Sequence, residues 1–460
     1  MVAGYKIWLV VMAAFIIPRS VATWTTPENI SNTSLKSNRA DMAVDRNGHL
    51  HVVWGDFYTI PNEPGDILYR HFDGDTWSGT VSVSNDTTES WRPKIAVDTV
   101  GHPHVIWEDW GHWTRPKIRY SRFDGDSFTT PFNLSDSLSG AHPFARIGGI
   151  AVDRLNNVHV VWSDEISGML EVYHTKREGN SWSDPVNISN NQLGMSAMPE
   201  IAIDSSDCLH VVWLDYRNSQ DEDSCEIYYS KSEGDTWTTP INISNIPGQS
   251  WDEQMAVSQE GYPHVVWSEE SCHLYYSFFD GSSWSTPYYL NDVTGEDEGY
   301  SPDLAVDAGG NVHVVWGGDG PELWHTFYNG IIWSAPFDVS GSPRNSVLAD
   351  IVTDQSGWIH CVWGESGEIW YSKHFVICGD CNGDENITFA DALYVKDYYF
   401  QIPPGSPAPI GEGDVNLDGR ITFADALYIK NYYFQTPPGF PAPCEPPLST
   451  PPFGERCMEK

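Results

Sequence analysis

Positive charge is scarce in this sequence. Its 460 residues include 25 Lys and Arg against 63 Asp and Glu, which gives a formal net charge of −38 at pH 7. A chain with this balance repels nucleic-acid phosphates and anionic lipid surfaces, so neither is expected as a partner. Hydrophobic residues make up 40% and aromatic residues 13% of the chain, which is enough for packed sheets, so the acidity does not predict disorder.

Long apolar runs are missing beyond the first few residues. A short basic start, an apolar stretch at residues 7–17 and small residues at 20–22 are typical of a signal peptide, 1–22, that is cleaved after Ala22. No later stretch is long enough to cross a bilayer. We therefore expect a secreted protein, extracellular or held in a cell-surface assembly, with no membrane insertion after cleavage.

Cysteine is too scarce to form the scaffold of an exported protein of this length. There are eight cysteines in the chain. Four stand singly in the repeats described below and are expected to be buried thiols: Cys208, Cys225, Cys272 and Cys361. The other four flank a C-terminal module, where a disulfide clasping its two ends is one arrangement, but the sequence does not fix the pairing.

One short motif is repeated seven times. His-Val-Val-Trp occurs at five positions, and the variants His-Val-Ile-Trp and His-Cys-Val-Trp complete the set. Successive histidines are 53, 55, 51, 54, 49 and 47 residues apart. A period in this range indicates one supersecondary unit per repeat. The histidines are His51, His104, His159, His210, His264, His313 and His360.

Each period contains four short runs rich in Val, Ile, Tyr and Trp, separated by Gly, Asp and Ser turns. In residues 199–245 these runs are 199–204, 209–215, 226–230 and 237–244. The pattern is typical of four antiparallel strands, and four strands repeated around a ring form the blades of a β-propeller. The sequence therefore predicts an all-β, seven-bladed β-propeller over residues 23–376.

The last repeat lacks a fourth strand, and the beginning of the chain supplies a match. Residues 23–31 are identical to residues 236–244 at eight of nine positions. An open ring would leave two unpaired strand edges. We therefore expect the N-terminal strand to complete the seventh blade.

The composition changes after residue 376, where two twelve-residue loops occur. The first runs from Asp380 to Asp391 and the second from Asp414 to Asp425, 34 residues later. Oxygen ligands at loop positions one, three, five and twelve, with a backbone carbonyl at seven, are typical of a calcium loop. A helical run follows each loop, so residues 377–444 predict a small all-α module, ahead of a Pro-rich tail at 445–460.

The two loops, within residues 379–443, resemble those of a type I dockerin. The resemblance implies two Ca²⁺ ions, two helices ordered by them, and binding to a cohesin domain on a scaffold protein. By position, the implied calcium ligands are Asp380, Asn382, Asp384, Asn386 through its carbonyl and Asp391, and then Asp414, Asn416, Asp418, Arg420 through its carbonyl and Asp425. Position six is Glu385 in loop one but Gly419 in loop two. The chain turns sharply at position six, and a side chain forced toward positive φ there is strained. We therefore expect loop one, which has Glu385, to bind calcium more weakly than loop two, and a calcium titration checks this.

The resemblance also implies which residues face the cohesin. They stand at loop positions ten and eleven and further along each helix. They are Phe389, Ala390, Lys396 and Asp397 in one copy, and Phe423, Ala424, Lys430 and Asn431 in the other. Because the copies are nearly identical, either half is expected to present the same face.

The propeller looks like a degenerate form of the Asp-box repeat of sialidase-like propellers. Its Gly-x-x-Trp turns, at Gly234 and Gly281 for example, carry the resemblance. Ser232 and Phe279 stand where the box has Asp, and the chain has no Phe-Arg-Ile-Pro motif. Because one fold supports many activities, the resemblance assigns no reaction and the catalytic residues stay unknown.

Repeated polar residues are expected to serve the blades themselves, because a site normally combines unlike residues. This applies to the seven histidines. A carboxylate stands two positions after six of the repeated Trp residues, and Asp319 comes one position later in its repeat. These carboxylates, among them Asp109 and Asp215, allow two interpretations. They cap loops, or they form a ring that binds a cation or sugar hydroxyls and supplies an acid and a base for glycoside cleavage.

Unrepeated aromatic and arginine side chains are expected on the same rim. They suit the apolar faces and hydroxyls of sugar rings, and packing between blade edges is the alternative. With two of the carboxylates, the possible ligand rim consists of Trp91, Arg92, Asp109, Trp110, Trp113, Arg115, Asp215, Tyr216, Arg217 and Trp251.

Three functions fit these patterns. The favoured one is a secreted, dockerin-bearing subunit that docks onto a cellulosome-like scaffold engaged in polysaccharide breakdown, with the propeller as a carbohydrate-binding accessory module. The alternatives are a glycoside hydrolase or polysaccharide lyase, and a protein-interaction platform without a sugar ligand.

Overall fold

The computed structural model describes residues 24–375, apart from 34–35, 58–64, 86–87, 112–115, 136–144, 166–168, 218–224, 235, 247, 271, 291–298, 319, 331–332 and 335. The predicted signal peptide, the dockerin with its calcium ligands and cohesin-facing residues, and the Pro-rich tail lie outside the described residues. Trp113 and Arg115 of the possible rim also lie outside them. Within the described ranges, no helix is long and apolar enough to span a membrane.

The described strands form seven antiparallel sheets, which confirms the predicted seven-bladed propeller. Blades 1 to 7 are numbered here by the order of their first strands, which are Lys36–Val44, Ser90–Val97, Arg146–Val152, Ser196–Ile203, Trp251–Val257, Tyr300–Val306 and Ser346–Thr353. The second strands are Leu50–Phe57, Pro103–Asp109, Val158–Asp164, Leu209–Asp215, Pro263–Glu269, Val312–Gly317 and Trp358–Glu365. The third strands are Asp66–Phe72, Lys117–Arg122, Glu171–Glu178, Glu226–Glu233, His273–Phe278, Leu323–Tyr328 and Glu368–Phe375.

The run predicted as one fourth strand is divided in two. In blade 4, Thr236–Trp237 pairs with the end of the third strand and Ile241–Asn242 with its middle. Pro240 lies between the two segments and has no N–H to continue the ladder. Blade 3 has the same division, at Ser181–Trp182 and Val186–Asn187. The outer segments of the other blades are Glu28–Asn29, Val81–Ser82, Phe132–Asn133, Tyr288–Tyr289 and Phe337–Asp338.

The repeated motif lies on the second strand, which is buried on both faces. In blade 4 every residue of Leu209–Asp215 is buried. The seven repeated tryptophans, Trp213 among them, are fully buried. A strand covered on both faces needs a continuous apolar run, which His-Val-Val-Trp largely provides. The core therefore lies between neighbouring blades, where each sheet packs on the next.

The N-terminal strand closes the ring, as predicted. Glu28 pairs with Tyr371 and Asn29 with Trp370, both on the third strand of blade 7. Ile30 is fully buried in the apolar cluster between blades 7 and 1. The leading residues thus cover the strand edge that an open ring would expose.

The repeated histidines belong to the hydrogen bonding of the blades, as predicted. In five blades the histidine Nδ1 lies 2.6–2.8 Å from a tyrosine hydroxyl on the third strand. In blades 3 and 6 a second histidine replaces the tyrosine, at 3.1 and 3.2 Å. Burial lowers the pKa of His51 and of His264 to about 4. The imidazoles of His51 and His264 are therefore neutral packing groups at neutral pH.

Candidate ligand site at the channel mouth

The seven first strands surround a central channel. Each contacts the first strands of both neighbouring blades, and the strand of blade 7 contacts that of blade 1. Near its start, each first strand shifts register against the second strand. Such a bulge redirects side chains. Here the bulge residues line a cavity of about 180 Å³ at one mouth of the channel.

The bulge has the same backbone geometry in six blades. Its central residue has φ between 43° and 54°, in the left-handed region that side chains other than glycine rarely adopt. These residues are Arg39, Arg92, Met198, Asp252, Ser301 and Leu348. In blade 3 the equivalent place is held by the β-branched Ile147. The fold therefore fixes the backbone at the mouth, while the side chain differs from blade to blade.

Blades 1 and 2 place an arginine at this position. Arg39 and Arg92 both line the cavity. Burial, and then the charge of Arg92, lower the pKa of the Arg39 guanidinium. Arg92 Nη1 lies 3.9 Å from Glu108, whereas Arg39 forms no ion pair with a described residue. A half-buried guanidinium without an ion pair is suited to an anionic ligand.

Glu108 organises the neighbouring part of the mouth from a fully buried position. Its Oε1 accepts the N–H of Ile147 at 3.0 Å, and its Oε2 accepts the indole N–H of Trp110 at 3.0 Å. Arg146 Nη1 lies 3.6 Å from the same carboxylate, and its guanidinium lies 4.6 Å from the Trp110 ring centre. Arg92 and Arg146 thus share one buried carboxylate, and Arg39 of blade 1 adds a third arginine to this side of the mouth.

Blades 4 to 6 present apolar and hydroxyl groups on the other side. Met198, Trp251 and Tyr300 are 43%, 41% and 37% exposed. Trp251 and Tyr300 directly precede the bulge residues Asp252 and Ser301, and the Ser301 hydroxyl donates to Asp252 at 3.4 Å. The mouth therefore has a cationic side and an aromatic side, with a carboxylate and a hydroxyl on the latter.

A buried charge cluster lies two residues further along the first strands. Lys94 Nζ is 2.9 Å from Glu200 and 3.3 Å from Asp41. Burial alone would lower the pKa of Lys94, but these carboxylates outweigh it and raise that pKa well above its usual value. Burial, and then the carboxylate of Asp303, raise the pKa of Asp350. The lysine ties blades 1, 2 and 4 together, so we interpret the cluster as structural.

The structure brings some of the predicted rim residues to the mouth. Arg92 and Trp110 lie on its cationic side and Trp251 on its aromatic side, as described above. Trp91 directly precedes Arg92 and packs against Phe57, with ring centres 4.1 Å apart. Trp91 therefore borders the mouth while serving blade packing.

The remaining rim residues are engaged inside the blades. Asp109 is buried and accepts a hydrogen bond from Arg119 Nε at 2.7 Å. Asp215 is fully buried, and Arg217 donates to both of its oxygens, at 2.8 and 2.7 Å. Tyr216 packs against the core cluster between blades 4 and 5. In these blades the carboxylate after the repeated Trp serves internal hydrogen bonding.

Sequence reasoning missed Arg39, Arg146, Asp252 and Ser301. It selected Trp91 and Arg92 because both are conspicuous in their loop. Aligning all seven first strands on Trp91 and Arg92 identifies the other four residues. Residues at the same strand position converge around a propeller axis even though about 50 residues separate them in sequence.

These features define the described part as a seven-bladed propeller with a two-sided channel mouth. The second part of the chain is identified by its sequence, because residues 378–433 match the family model of the dockerin type I domain. The chain therefore carries a type I dockerin, a calcium-binding module whose partner is a cohesin, as predicted. Proteins with this module are typically extracellular components of cellulosome-type assemblies.

Several solved structures are similar to this chain. A protein of unknown function from Dyadobacter fermentans is 10% identical, with a TM-score of 0.50, over 77% of this chain and 99% of that one. The Hadza microbial sialidase Hz136 is 12% identical, with a TM-score of 0.45, over 74% and 66%. An α-L-arabinanase of Penicillium chrysogenum is 14% identical, with a TM-score of 0.46, over 65% and 93%. At these identities the likeness concerns the fold alone. No curated protein matches the chain.

Proposed function

We propose that the protein is an exported subunit that docks onto a cohesin-bearing scaffold, and that its channel mouth binds a glycan carrying carboxylate groups. The observation that carries the second part is the division of the mouth into an arginine side and an aromatic side. Only 25 Lys and Arg stand against 63 Asp and Glu in the chain. Three arginines on one side of the opening are a local concentration of positive charge, and such a concentration attracts an anion.

The docking part rests on the dockerin match and on the duplicated loops. Each loop would hold one Ca²⁺ through the oxygen ligands named above, and the ions would order the two helices. The faces around Phe389 and Phe423 would contact the cohesin. Residues 1–22 would export the chain to the scaffold, and the assembly would act in polysaccharide breakdown.

The arginine side accounts for the carboxylate of the ligand. A guanidinium presents parallel N–H donors that match the two oxygens of a carboxylate. Arg39 is half-buried and has no ion pair among the described residues, so a ligand carboxylate would supply its counter-ion. Arg92 and Arg146 already share Glu108. They would therefore add positive field more than direct contacts.

The aromatic side accounts for the sugar ring. Trp251 and Tyr300 expose ring surface next to the bulge, and the apolar face of a pyranose packs well on such a ring. Asp252 accepts and Ser301 both donates and accepts hydrogen bonds, which suits sugar hydroxyls. A uronic-acid unit would thus place its carboxylate toward Arg39 and its ring on Trp251.

Calorimetric titration with an oligogalacturonide, and with a neutral oligosaccharide of equal length, tests this proposal. Arg39→Gln should weaken binding of the acidic sugar by about tenfold or more, roughly 1.4 kcal/mol. Trp251→Ala should weaken binding of the acidic sugar by more than Arg39→Gln does. Arg154→Gln, an exposed arginine at the opposite end of the strands, should leave it unchanged. Equal affinity of the protein for both sugars would disprove the acidic-glycan assignment. Wild-type affinity of the Arg39→Gln variant for the acidic sugar would also disprove it.

A hydrolase or lyase is the second candidate, and Asp252 favours it. This carboxylate stands at the mouth, and its charge partly offsets the lowering of the Arg39 pKa by burial, so the two groups are close enough to interact. Glycoside cleavage requires a carboxylate beside the sugar. If product forms, Asp252→Asn should abolish it. Binding without product supports the accessory module, and protein capture with no sugar binding supports the interaction platform.

A further inference from the structure

The turn between the first and second strands of blade 4 brings a carboxylate, a thiol and an imidazole together. Asp204 follows the first strand, Cys208 lies in the turn, and His210 is on the second strand. One ligand atom from each residue lies within 4.8 Å of the other two. This turn is at the opposite end of the strands from the channel mouth, so it is separate from the glycan site.

Two of these ligand atoms have no hydrogen-bond partner among the described residues. His210 is 3% exposed, and its Nε2 is buried without a hydrogen bond. Nε2 lies 3.6 Å from Asp204 Oδ2, which is too long for one. The other oxygen, Oδ1, accepts the N–H and hydroxyl of Ser206 and the N–H of Cys208, at 2.7–2.8 Å. The carboxylate is thus held by Oδ1 while Oδ2 points toward the imidazole.

In four of the other blades, the residue at the position of Cys208 offers this oxygen an amide or an imidazole. In blade 3, Asn157 Nδ2 donates to Asp153 Oδ2 at 2.7 Å, and in blade 6, Asn311 Nδ2 donates to Asp307 Oδ2 at 2.8 Å. In blades 1 and 2 a histidine Nδ1 lies 3.2 and 3.5 Å from the aspartate. Blade 4 has a thiol at this position, which is a weak donor. The substitution leaves Asp204 Oδ2 able to bind a cation.

The surrounding contacts orient the ligands. The Tyr229 hydroxyl lies 2.8 Å from His210 Nδ1, which fixes the ring and directs Nε2 toward the other two ligands. The turn is closed by the Asp204 N–H, which donates to the Cys208 carbonyl at 3.0 Å. Asp204 and Cys208 are partly exposed, so an ion can enter from solvent. Thiolate, imidazole and carboxylate together are ligands of Zn²⁺ and similar ions.

We propose that Asp204, Cys208 and His210 bind a divalent transition-metal ion of the Zn²⁺ class, with a further position for water or another ligand. The ion would replace the amide that completes this turn in blades 3 and 6. A cysteine binds such an ion as the thiolate, so binding releases the thiol proton and the affinity should rise with pH.

Titration of the full chain with Co²⁺, in the presence of excess Ca²⁺, tests the proposal. A thiolate bound to Co²⁺ gives a near-ultraviolet charge-transfer band that oxygen ligands do not give. Cys208→Asn copies the turn of blades 3 and 6, so it should fold while losing this band and more than about tenfold in affinity. Subtracting the spectrum of the Cys208→Asn variant from that of the wild type removes bands that arise from other cysteines. Cys272→Ser, at another partly exposed thiol, should keep the wild-type band.

A gain of binding provides the second test. Asn157→Cys gives blade 3 the turn of blade 4 and should add a second thiolate-bound Co²⁺ per chain. Circular dichroism reports whether each variant is folded. A folded Cys208→Asn variant with the full wild-type band would overturn the proposal, as would a wild-type protein that shows no thiolate band at saturating Co²⁺.

Discussion

At the scale of single residues, buried neutral imidazoles link stability to pH. His51 is 5% exposed, its Nδ1 lies 2.7 Å from the Tyr69 hydroxyl, and burial lowers its pKa to about 4. The unfolded value is about 6.5. Between these values the unfolded chain binds more protons than the folded one. This contribution to the free energy of unfolding is therefore complete above about pH 6.5 and is lost as the pH falls toward 4.

Replacing His51 by Gln should remove that contribution. Urea unfolding from pH 4 to pH 7 should show a stability difference between wild type and His51→Gln that grows with pH, by roughly 3 kcal/mol at about 1.4 kcal/mol per pKa unit. Tyr69→Phe removes the hydrogen bond but keeps the imidazole, so its stability should run parallel to the wild-type curve. A constant difference between wild type and His51→Gln across this range would contradict the explanation.

Lys94 gives a second prediction at this scale. Its removal in Lys94→Met leaves Glu200 and Asp41 without their counter-ion inside the channel. Breaking a fully buried pair in this way costs about 3–5 kcal/mol, and this half-buried cluster should lose a substantial part of that at neutral pH. Lys176→Met breaks the exposed pair with Glu178 and should change the free energy of unfolding by less than about 0.5 kcal/mol. Chemical denaturation of both variants measures the contrast, and equal effects would refute the structural role of Lys94.

At the scale of elements, a very short segment holds the ring closed. The segment at Glu28–Asn29 forms only two residue pairs with blade 7. The adjoining Ile30 adds a fully buried side chain that packs between blades 7 and 1. Pairing two distant ends of the chain joins the first and last blades directly. The stability of the ring should therefore depend on this segment more than its length suggests.

Ile30→Ala should lower the free energy of unfolding by about 2–5 kcal/mol, the usual range for truncating a fully buried isoleucine. Glu28→Ala, in the same segment but exposed, is the matched control and should cost little. Deleting residues 24–31 should lower the melting temperature by more than either substitution. If the shortened protein melts no earlier than the intact one, the N-terminal strand does not close the ring as described.

The bulges are the second element that matters. The same register shift occurs in all seven first strands, so the positions of the mouth side chains are set by the blade and not by any one residue. This explains how an arginine, a methionine, an aspartate and a serine occupy equivalent places. The side chains at the mouth can change without a change of fold, because the bulge restricts only the backbone φ of its central residue.

At the scale of the whole molecule, the proposed docking and the proposed glycan binding belong to separate parts of the chain. The dockerin would need Ca²⁺, whereas the contacts proposed at the mouth are made by side chains. A chelator should therefore abolish cohesin capture and leave oligogalacturonide binding within about twofold. Pull-down on an immobilised cohesin and calorimetry on the same sample measure the two functions. Asp391→Ala combined with Asp425→Ala should reproduce the effect of the chelator, and joint loss of both functions would show that the two parts are coupled.

The number of blades, the closure of the ring and the docking module could all be predicted from the sequence. Each of these is periodic or duplicated, so the evidence is repeated within one chain. The His-Val-Val-Trp strands recur because every blade buries its second strand in the same way. Residues 23–31 match a fourth strand because they perform its role in blade 7. The calcium loops are local, since their ligands lie within twelve residues.

The residues that line the mouth could be identified only once the strands were placed around the ring. Asp109 and Asp215 are conspicuous in sequence, but both are buried acceptors, because carboxylates beside a repeated Trp are drawn into the hydrogen bonding of their blade. Arg39 and Arg146 are inconspicuous, and only the ring places them beside Arg92. A ligand surface made of one side chain per blade has no local signature, because its members meet through the curvature of the propeller and not through their spacing along the chain.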